Sequence, residues 1–236
     1  MRIGILETGY PPAHLVDEHG SYPDMLRRFV GEDAARYEVF DVQKREYPPD
    51  AAAFDALLVT GSPAGVYDPY EWIGELMGYL RAAKGRTALV GVCFGHQVMA
   101  QAFGGQVRKS EKGWGLGLHT YRVTAPEPWM DPVSEITAPV SHQDQVVELP
   151  PTARVVAASD FTPHAVLAYA DQPAISFQCH PEFTREYGKA LAERRRGQVP
   201  DPQIDAAKAS LDGPNDDPQI ADWVRRFLSA RRRAAA

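Results

Sequence analysis

The residue of this chain best suited to chemistry is a cysteine that lies between two glycines. Cys93 lies at the centre of the run Gly-Val-Cys-Phe-Gly at residues 91–95, between the apolar run 87–90 and the helix-like run 96–103. The pattern is typical of a nucleophile elbow, in which small residues two positions before and after permit a sharp turn from strand to helix. Such a turn places the sulfur at a helix N-terminus, where the helix dipole favours the thiolate. The alternative is a buried cysteine in an ordinary turn.

A histidine and a glutamate farther along the chain supply the other groups that a thiol nucleophile needs. His180 and Glu182 flank a proline directly after the β-like run 174–178. In an extended segment, positions i and i+2 face the same side, so these two side chains would project together. A nucleophile needs a base, and the base needs a group that fixes its tautomer. Cys93, His180 and Glu182 fit these three roles, although His-Pro-Glu by itself is also typical of a surface turn.

Both motifs resemble those of the class I (triad) glutamine amidotransferases, the family that includes the amidotransferase domains of GMP synthase and carbamoyl-phosphate synthetase. The family's nucleophile motif reads G-x-C-x-G-x-Q, which residues 91–97 match, and its His-x-Glu pair matches residues 180–182. The run Thr-Gly-Ser-Pro at 60–63 resembles the family's glycine-rich oxyanion loop. The run Ser-His-Gln-Asp-Gln-Val at 141–146 resembles the S-H-G-D-x-V segment of GMP synthase-type members, and the chain as a whole resembles a stand-alone member of that type.

The resemblance implies a role for each matched residue. Cys93 would attack the side-chain carbonyl of glutamine, His180 would pass a proton to the departing ammonia, and Glu182 would orient His180. The backbone N–H groups of Ser62 and Phe94 would form the oxyanion hole. The substrate-binding residues that the resemblance implies are Gly61, Gln97, Ser141, Gln143 and Asp144. Ser62, in the oxyanion loop, and Gln143, in the substrate-binding set, stand where many relatives carry glycine.

The implied activity is hydrolysis of the γ-amide of glutamine through a γ-glutamyl thioester, with release of ammonia. One alternative is a γ-glutamyl peptidase that uses the same chemistry on glutathione-like conjugates. Two others are a cysteine hydrolase that shares only the elbow, against which the His-Pro-Glu pair and Gln97 argue, and a catalytically silent binding module, against which the intact triad argues. The chain shows neither a G-x-x-x-x-G-K-[ST] phosphate loop nor an S-G-G-x-D-S-type loop. A separate synthetase is therefore the partner that ammonia transfer would require.

Composition narrows the classes of function further. The 236 residues, of which 44% are hydrophobic, suit a soluble globular protein, and the net charge of −6 argues against nucleic-acid binding. Two cysteines do not form a disulfide framework, which favours a reducing, cytoplasmic location. The histidines lack paired ligand spacing, so we expect no metal, and no motif indicates a cofactor. No apolar run reaches the ~18 residues of a membrane span.

The elements that must position the triad alternate between strands and helices. Short apolar runs at 3–6, 37–42, 56–59 and 87–92 predict buried parallel strands, with helices at 23–30 and 70–83 between them. After the nucleophile helix, strands are predicted at 106–109, 119–123, 146–149, 154–158 and 165–169. We therefore expect an α/β protein with a flavodoxin-like, open, mostly parallel central sheet flanked by helices and an added small β-layer. The nucleophile would lie at the carboxyl end of a strand.

We expect a single domain over residues 1–236, with a catalytic core at about 1–190 and a helical C-terminal extension at about 191–236. The run Asp-Pro-Gln-Ile occurs at 201–204 and at 217–220, and each copy predicts a helix start. The second copy leads into an apolar stripe at helical spacing, for which core packing is favoured over a partner-binding face. The stripe consists of Ile220, Trp223, Val224, Phe227 and Leu228.

Three other features have a structural interpretation at this level. Cys179 precedes His180, and neighbouring residues of a strand face opposite ways, so a structural role is favoured over a second nucleophile. The arginine runs at 194–196 and 231–233 are expected to be solvated helix ends or solvated tail. Trp114, in the loop after the double glycine at 104–105, is expected either to line the substrate pocket or to anchor an exposed loop.

Overall fold

The chain alternates strands and helices through its N-terminal half, as the sequence predicts. The computed structural model describes residues 1–235, with side chains through Ala230. The strands are β1 (Arg2–Glu7), β2 (Arg36–Asp41), β3 (Ala56–Val59), β4 (Ala88–Val92), β5 (Gln106–Lys109), β6 (Gly115–Val123), β7 (Glu135–His142), β8 (Asp144–Glu148), β9 (Ala153–Ala158), β10 (Val166–Tyr169) and β11 (Ala174–Phe177). The α-helices are α1 (Ala13–His19), α2 (Tyr22–Val30), α3 (Glu71–Ala83), α4 (Phe94–Ala102), α5 (Arg185–Glu193), α6 (Asp201–Ser210) and α7 (Asp217–Ala235).

A mixed central sheet carries the fold. Within residues 1–235 it has nine strands in the order β2-β1-β3-β4-β11-β10-β9-β6-β7. Strands β2, β1, β3, β4 and β11 pair in parallel, and the remaining pairs are antiparallel. Strands β5 and β8 form a separate antiparallel pair, which is the small added β-layer. The predicted α/β class is confirmed, and β6, β7, β9 and β10 extend the central sheet.

The inner parallel strands β3 and β4 are apolar throughout because helices cover both faces of the sheet there, whereas the edge strand β2 carries charged residues. In β3, Ala56 and Leu58 lie in one core cluster with residues of α2 and α7, whereas Leu57 and Val59 lie in another with residues of α3 and α4. All four side chains are buried. A strand buried on both faces has no solvent-facing positions, which explains the unbroken apolar runs in the sequence.

The C-terminal helices are part of this core. The predicted helix starts are confirmed, since α6 begins at Asp201 and α7 at Asp217. All five residues of the apolar stripe on α7 are buried in the cluster that also contains α2, so the core-packing interpretation is confirmed. Trp223 packs edge-on against Trp129, with ring centroids 6.1 Å apart. This packing supports our proposal of a single domain; the side chains at 231–233 and residue 236 lie outside the described residues.

The sequence does not predict strand β7, because the strand contains a proline. Its position at the edge of the sheet explains how this proline is tolerated. The strand contains Pro139, which cannot donate a backbone hydrogen bond to a neighbouring strand. Strand β7 is the last in the sheet order, where a missing donor can face away from the sheet.

Among the residues that the structure describes, no helix combines the length and the apolar character that crossing a bilayer requires.

Candidate active site

The backbone at Cys93 has the strained geometry of a nucleophile elbow. Its φ and ψ are 51° and −102°, and among the described non-glycine residues only Arg45 shares a positive φ. A Cβ on Gly91 would lie 2.6 Å from the carbonyl carbon of Gly95, and a Cβ on Gly95 would lie 2.9 Å from the carbonyl carbon of Val59. Both positions therefore require glycine. Backbone strain of this kind costs on the order of 1–3 kcal/mol and is concentrated at functional sites.

The elbow lies at the carboxyl edge of the parallel strands. The Cys93 N–H donates to the carbonyl of Phe177 over 2.8 Å, which joins the ends of β4 and β11. Cys93 is also the N-cap of α4, so its sulfur lies at the positive end of the helix dipole. Phe94 begins this helix with its ring in the core, which leaves only its backbone beside the sulfur. An N–H in the first turn of a helix has no partner within the helix.

The loop after β3 forms the opposite wall of the site. Thr8 holds this loop, because its Oγ1 lies 3.0 Å from the carbonyl oxygens of both Thr60 and Gly61. A Cβ on Gly61 would lie 3.1 Å from Cε1 of His180, so glycine permits the loop to approach the imidazole. Ser62 follows and lines the same cavities as Cys93. Of the two residues predicted to supply oxyanion-hole N–H groups, Phe94 directly follows Cys93, and Ser62 shares both cavities with it.

Non-glycine residues are accommodated at both positions where many relatives have glycine. Ser62 and Gln143 are absent from the positive-φ residues of the described chain, so neither needs the conformational freedom of glycine. The hydroxyl of Ser62 accepts the N–H of Ala64 over 3.2 Å, which stabilises the turn locally. Gln143 connects β7 to β8, and its carbonyl accepts the N–H of Ser110 over 3.1 Å.

His180 is buried and held from three directions. Its Nδ1 lies 2.7 Å from Oε1 of Glu182, and its backbone N–H donates to the carbonyl of Pro139 over 2.8 Å. Its ring stacks on Phe183 with centroids 3.9 Å apart and an angle of 8° between the planes. Because the carboxylate occupies Nδ1, Nε2 is the ring nitrogen that remains free of this contact.

The predicted reason for the contact between His180 and Glu182 is wrong, although the contact is present. Strand β11 ends at Phe177, and residues 180–183 form a turn in which the N–H of Phe183 donates to the carbonyl of His180 over 3.1 Å. A turn, rather than the alternation of an extended strand, brings the two side chains together. Cys179 also lies beyond the end of the strand, so alternation does not explain its orientation either.

The charges of the site keep His180 protonated. Burial lowers the pKa of His180, but the negative charges of the Cys93 thiolate and of Glu182 outweigh burial and raise this pKa to about 10. His180 is therefore an imidazolium at neutral pH. An imidazolium beside a thiolate is the state from which a cysteine nucleophile attacks and a leaving group receives a proton.

The side-chain amides of Gln97 and Gln178 form a hydrogen-bonded chain that ends at the sulfur of Cys93. The sequence does not predict the role of Gln178. Gln178 lies with its Nε2 3.7 Å from Sγ of Cys93, and its Oε1 accepts Nε2 of Gln97 over 3.1 Å. The same Nε2 of Gln97 donates to the carbonyl of Asp144 over 2.8 Å. In the sequence, Gln178 is recognisable only as the polar last residue of the β-like run 174–178, two positions before His180.

A cavity of about 290 Å³ opens on one side of Cys93. Its walls include Gln97, Ser141, Gln143 and Asp144, all predicted to bind substrate, whereas Gly61, also predicted to do so, does not line it. The charged residues on its walls have both signs, namely Asp68, Asp144, Lys109 and Arg195. Tyr67 donates to Oδ1 of Asp144 over 2.8 Å, and burial raises the pKa of this carboxyl. A cavity with acidic and basic groups suits the zwitterionic end of an amino acid.

A second cavity, of about 300 Å³, opens on the other side of Cys93. His180 lines this cavity but not the first one, whereas Gln97 and Asp144 line only the first. Cys93 lies at the boundary between the two. The remaining walls of the second cavity are Tyr10, Pro12, Tyr22, Ser62, Pro63, Ser141, Phe183, Leu191, Arg194, Arg195 and Gln198.

The expectation that the arginines at 194–196 are all solvated is wrong at one position. Arg194 and Arg196 are exposed, but Arg195 is only partly exposed and its guanidinium carbon lies 3.7 Å from the ring centroid of Trp114. Trp114 lines the first cavity, as one of its two predicted roles required. A partly buried cation stacked on an aromatic ring is attracted by the ring quadrupole, which holds this arginine between the two cavities.

Cys179 is unsuited to be a second nucleophile. Its side chain is fully buried and lines neither cavity. Burial, together with the charges of Asp217 and Glu182, raises the pKa of its thiol well above the usual value, so the unreactive thiol form persists. Among the residues that the structure describes, no cluster of His, Cys, Asp and Glu side chains is arranged to hold a metal ion.

Comparison with known proteins agrees with this arrangement. The family model described as glutamine amidotransferase class-I matches residues 14–195, a span that contains Cys93, His180 and Glu182. The chain belongs to the class I glutamine amidotransferase family. It is therefore an enzyme of this family, and the family resemblance drawn from its motifs is confirmed.

Relatives within the family carry different names. Gamma-glutamyl peptidase 2 of Arabidopsis thaliana is 26% identical over 233 residues, which cover 94% of this amidotransferase-family chain and 94% of that protein. One subunit of the glutamine-hydrolyzing GMP synthase of Ignicoccus hospitalis is 31% identical over 169 residues, or 69% of this chain and 84% of that one. A glutamine amidotransferase of Thermotoga maritima has the same fold, with a TM-score of 0.75 at 15% identity over 98% of this chain and 97% of its own.

In this amidotransferase-family fold we expect alanine to have opposite effects on stability at Gly95, in the elbow, and at Gly74, in α3. Gly95→Ala should destabilise the protein by about 1–3 kcal/mol, because its Cβ would overlap the backbone of Val59. Gly74→Ala, inside α3 where a Cβ would meet nothing within 4 Å, should stabilise it by about 0.5–1 kcal/mol. Urea unfolding measures both; equal stability of the two variants would contradict the steric account of the elbow.

The charge balance predicts how His180 titrates. Cys93→Ala removes one of the two negative charges that raise the pKa of His180, so this pKa should fall below about 10. Titration of the His180 ring by NMR in the two proteins measures the change. Cys179→Ser is the matched control, since it should leave the His180 pKa in place; an unchanged pKa in Cys93→Ala would show that the thiolate does not act on this ring.

Proposed function

We propose that this chain hydrolyses the γ-amide bond of a γ-glutamyl substrate through Cys93, His180 and Glu182, with glutamine as the simplest substrate and ammonia as its leaving group. The observation that carries the proposal is the elbow: a cysteine with strained backbone at the boundary of two cavities, beside a buried histidine whose Nδ1 lies 2.7 Å from a carboxylate. The alternative of a silent binding module leaves this strain and this charge arrangement without a use.

In the first half of the reaction, the Cys93 thiolate attacks the γ-carbonyl carbon and a carbon–sulfur bond forms. The carbonyl oxygen becomes an oxyanion, which the backbone N–H groups of Ser62 and Phe94 would stabilise. A donor of this type is commonly worth about 3 to 4 kcal/mol of barrier. The carbon–nitrogen bond then breaks, the imidazolium of His180 gives its proton to the departing nitrogen, and a γ-glutamyl thioester remains.

In the second half, neutral His180 removes a proton from water, and the resulting hydroxide attacks the thioester carbon. The carbon–sulfur bond breaks, glutamate leaves, and the thiolate and imidazolium are restored. Glu182 keeps the His180 ring oriented and stabilises its positive charge in both halves. The first cavity would hold the α-amino and α-carboxylate groups of the substrate, since both acidic and basic side chains line it.

A γ-glutamyl peptidase is the second candidate, and the second cavity favours it. That cavity lies on the His180 side, where the leaving group must receive its proton, and a leaving ammonia does not need such a volume. Relatives in Arabidopsis thaliana are named gamma-glutamyl peptidases, whereas another relative is named as a GMP synthase component. If glutamine is the substrate, we propose that a separate synthetase receives the ammonia.

The proposed chemistry also bears on the compartment. Cys93 and Cys179 are free thiols. A thiolate nucleophile is lost on oxidation, so a reducing compartment suits the proposed mechanism. We therefore propose a cytoplasmic location, without a cofactor or metal in the reaction.

Glutamate release from glutamine and from glutathione, measured in parallel, tests the proposal. Cys93→Ala should abolish release from both substrates, because the thioester cannot form, whereas Cys179→Ser should retain most of the activity. Faster turnover of glutathione would assign the chain to the peptidases, and faster turnover of glutamine would assign it to the glutaminases. Full activity of Cys93→Ala would overturn the mechanism.

The two partners of Cys93 should contribute unequally. His180→Ala removes the proton donor and should reduce kcat/KM strongly, whereas Glu182→Gln retains a hydrogen-bonding side chain and should reduce it less. Glu182→Gln also removes a charge that raises the pKa of His180, so the basic limb of the pH profile should move to lower pH. Equal losses with an unshifted basic limb would contradict the role assigned to Glu182.

A further inference from the structure

The leaving group of the proposed reaction has a defined place. His180 must deliver a proton to the scissile nitrogen, and it lines the second cavity only. Gln97 and Asp144, on the side proposed for the γ-glutamyl group, line the first cavity only. With Cys93 on the boundary, a substrate bound across both cavities would extend its γ-glutamyl group into the first and its leaving group into the second.

The size of the second cavity exceeds what ammonia requires. A water-sized molecule occupies ~30 Å³, so a volume of about 300 Å³ would hold roughly ten of them. Pockets that bind small organic molecules begin at about this volume. The second cavity is therefore large enough for an amine of the size of an amino acid.

The second cavity presents positive charge that no acidic side chain on its walls neutralises. Arg194 and Arg195 line it, no described aspartate or glutamate does, and neither arginine forms an ion pair among the described residues. The next arginine, Arg196, pairs instead with Glu193, Asp201 and Asp205. The charge of Arg194, after burial, also lowers the pKa of Arg195, so an anion placed between them would be stabilised.

The rest of the wall is apolar and aromatic. Tyr22 and Phe183 stack with ring centroids 6.2 Å apart, and Pro12 and Leu191 lie around the same space. Phe183 is held in place by its contact with the His180 ring at 3.9 Å. This wall suits an apolar side chain, because burial of apolar surface against such residues is favourable and needs no polar partner.

We infer that the second cavity binds the leaving amine, and that this amine carries a carboxylate and an apolar or aromatic side chain, as a hydrophobic α-amino acid does. The carboxylate pairs with Arg194 and Arg195, and the side chain packs on Tyr22 and Phe183. When the carbon–nitrogen bond breaks, the amino acid takes the His180 proton on its nitrogen and leaves as a free amine. This inference rests on the proposed γ-glutamyl hydrolysis and adds the class of leaving group.

A series of four substrates tests it in the wild-type enzyme, with glutamate release as the common measurement. The substrates are glutamine, γ-glutamyl-glycine, γ-glutamyl-phenylalanine and γ-glutamyl-phenethylamide, the last of which lacks only the carboxylate of the third. We expect γ-glutamyl-phenylalanine to have the highest kcat/KM. Loss of the carboxylate in the phenethylamide should lower kcat/KM by at least about tenfold, the usual effect of a charge-assisted hydrogen bond.

A matched pair of variants separates the arginine contact from general effects of charge. Arg194→Gln should lower the ratio of kcat/KM for γ-glutamyl-phenylalanine to that for the phenethylamide by at least about threefold, since only Arg195 is then left to pair with the carboxylate. Arg185→Gln, at the start of α5 and outside both cavities, removes the same charge and should leave that ratio as in the wild type. Phe183→Leu should lower the preference for phenylalanine over glycine as the leaving group.

The outcomes distinguish this inference from the proposed function. Equal kcat/KM for γ-glutamyl-phenylalanine and the phenethylamide, or turnover of glutamine alone, would overturn the inference and leave γ-amide hydrolysis intact. An unchanged substrate ratio in Arg194→Gln would also overturn it. Inactivity on all four substrates, together with no labelling of Cys93 by a diazoketone analogue of glutamine, would overturn the proposed function itself.

Discussion

The arrangement of the site depends on one constraint, the turn that carries the chain from β4 into α4 at Cys93. A positive φ at a non-glycine residue is costly, and here the two neighbouring glycines, at 91 and 95, allow the backbone of β3 and of the helix to approach within contact distance. The turn fixes the sulfur at the carboxyl edge of the parallel strands and at a helix N-terminus. The loop after β3 and the turn after β11 then meet it there, since both follow neighbouring strands of the sheet.

Compensation of charge makes the buried pair of His180 and Glu182 stable beside Cys93 at that edge. An isolated buried charge is expensive, but the electrostatic effects of Cys93 and Glu182 raise the pKa of His180 by more than burial of the ring lowers it. Behind Glu182, burial and the Glu182 charge itself raise the pKa of Asp217 to about 8. At neutral pH this aspartate is therefore mostly uncharged and adds little repulsion behind the triad. The C-terminal helix, which starts at Asp217, thus contributes to the electrostatics of the site as well as to the core.

In the proposed reaction, the position of the sulfur between two cavities would divide recognition of a substrate into two parts. One side offers acidic and basic groups together, which matches the end of an amino acid that carries both charges. The other side offers arginines and aromatic rings, which match an acidic, apolar group. Arg195, stacked on Trp114, lines both cavities and links the two parts. The same nucleophile and the same first cavity could therefore serve glutaminases and peptidases, with the second cavity setting the leaving group.

The sequence by itself determined the features that depend on neighbouring residues: the glycine spacing around Cys93, the apolar runs of the buried strands and the stripe of α7. These follow from local sterics and periodicity, which a short window of residues contains in full. Only the tertiary structure decided the edge position of β7, the contact of Gln178 with the sulfur and the turn that joins His180 to Glu182. It alone also decided the second cavity, because Tyr22, Phe183 and Arg194 come from separate segments. Their proximity depends on how the sheet and its helices pack, and no local pattern in the chain specifies that packing.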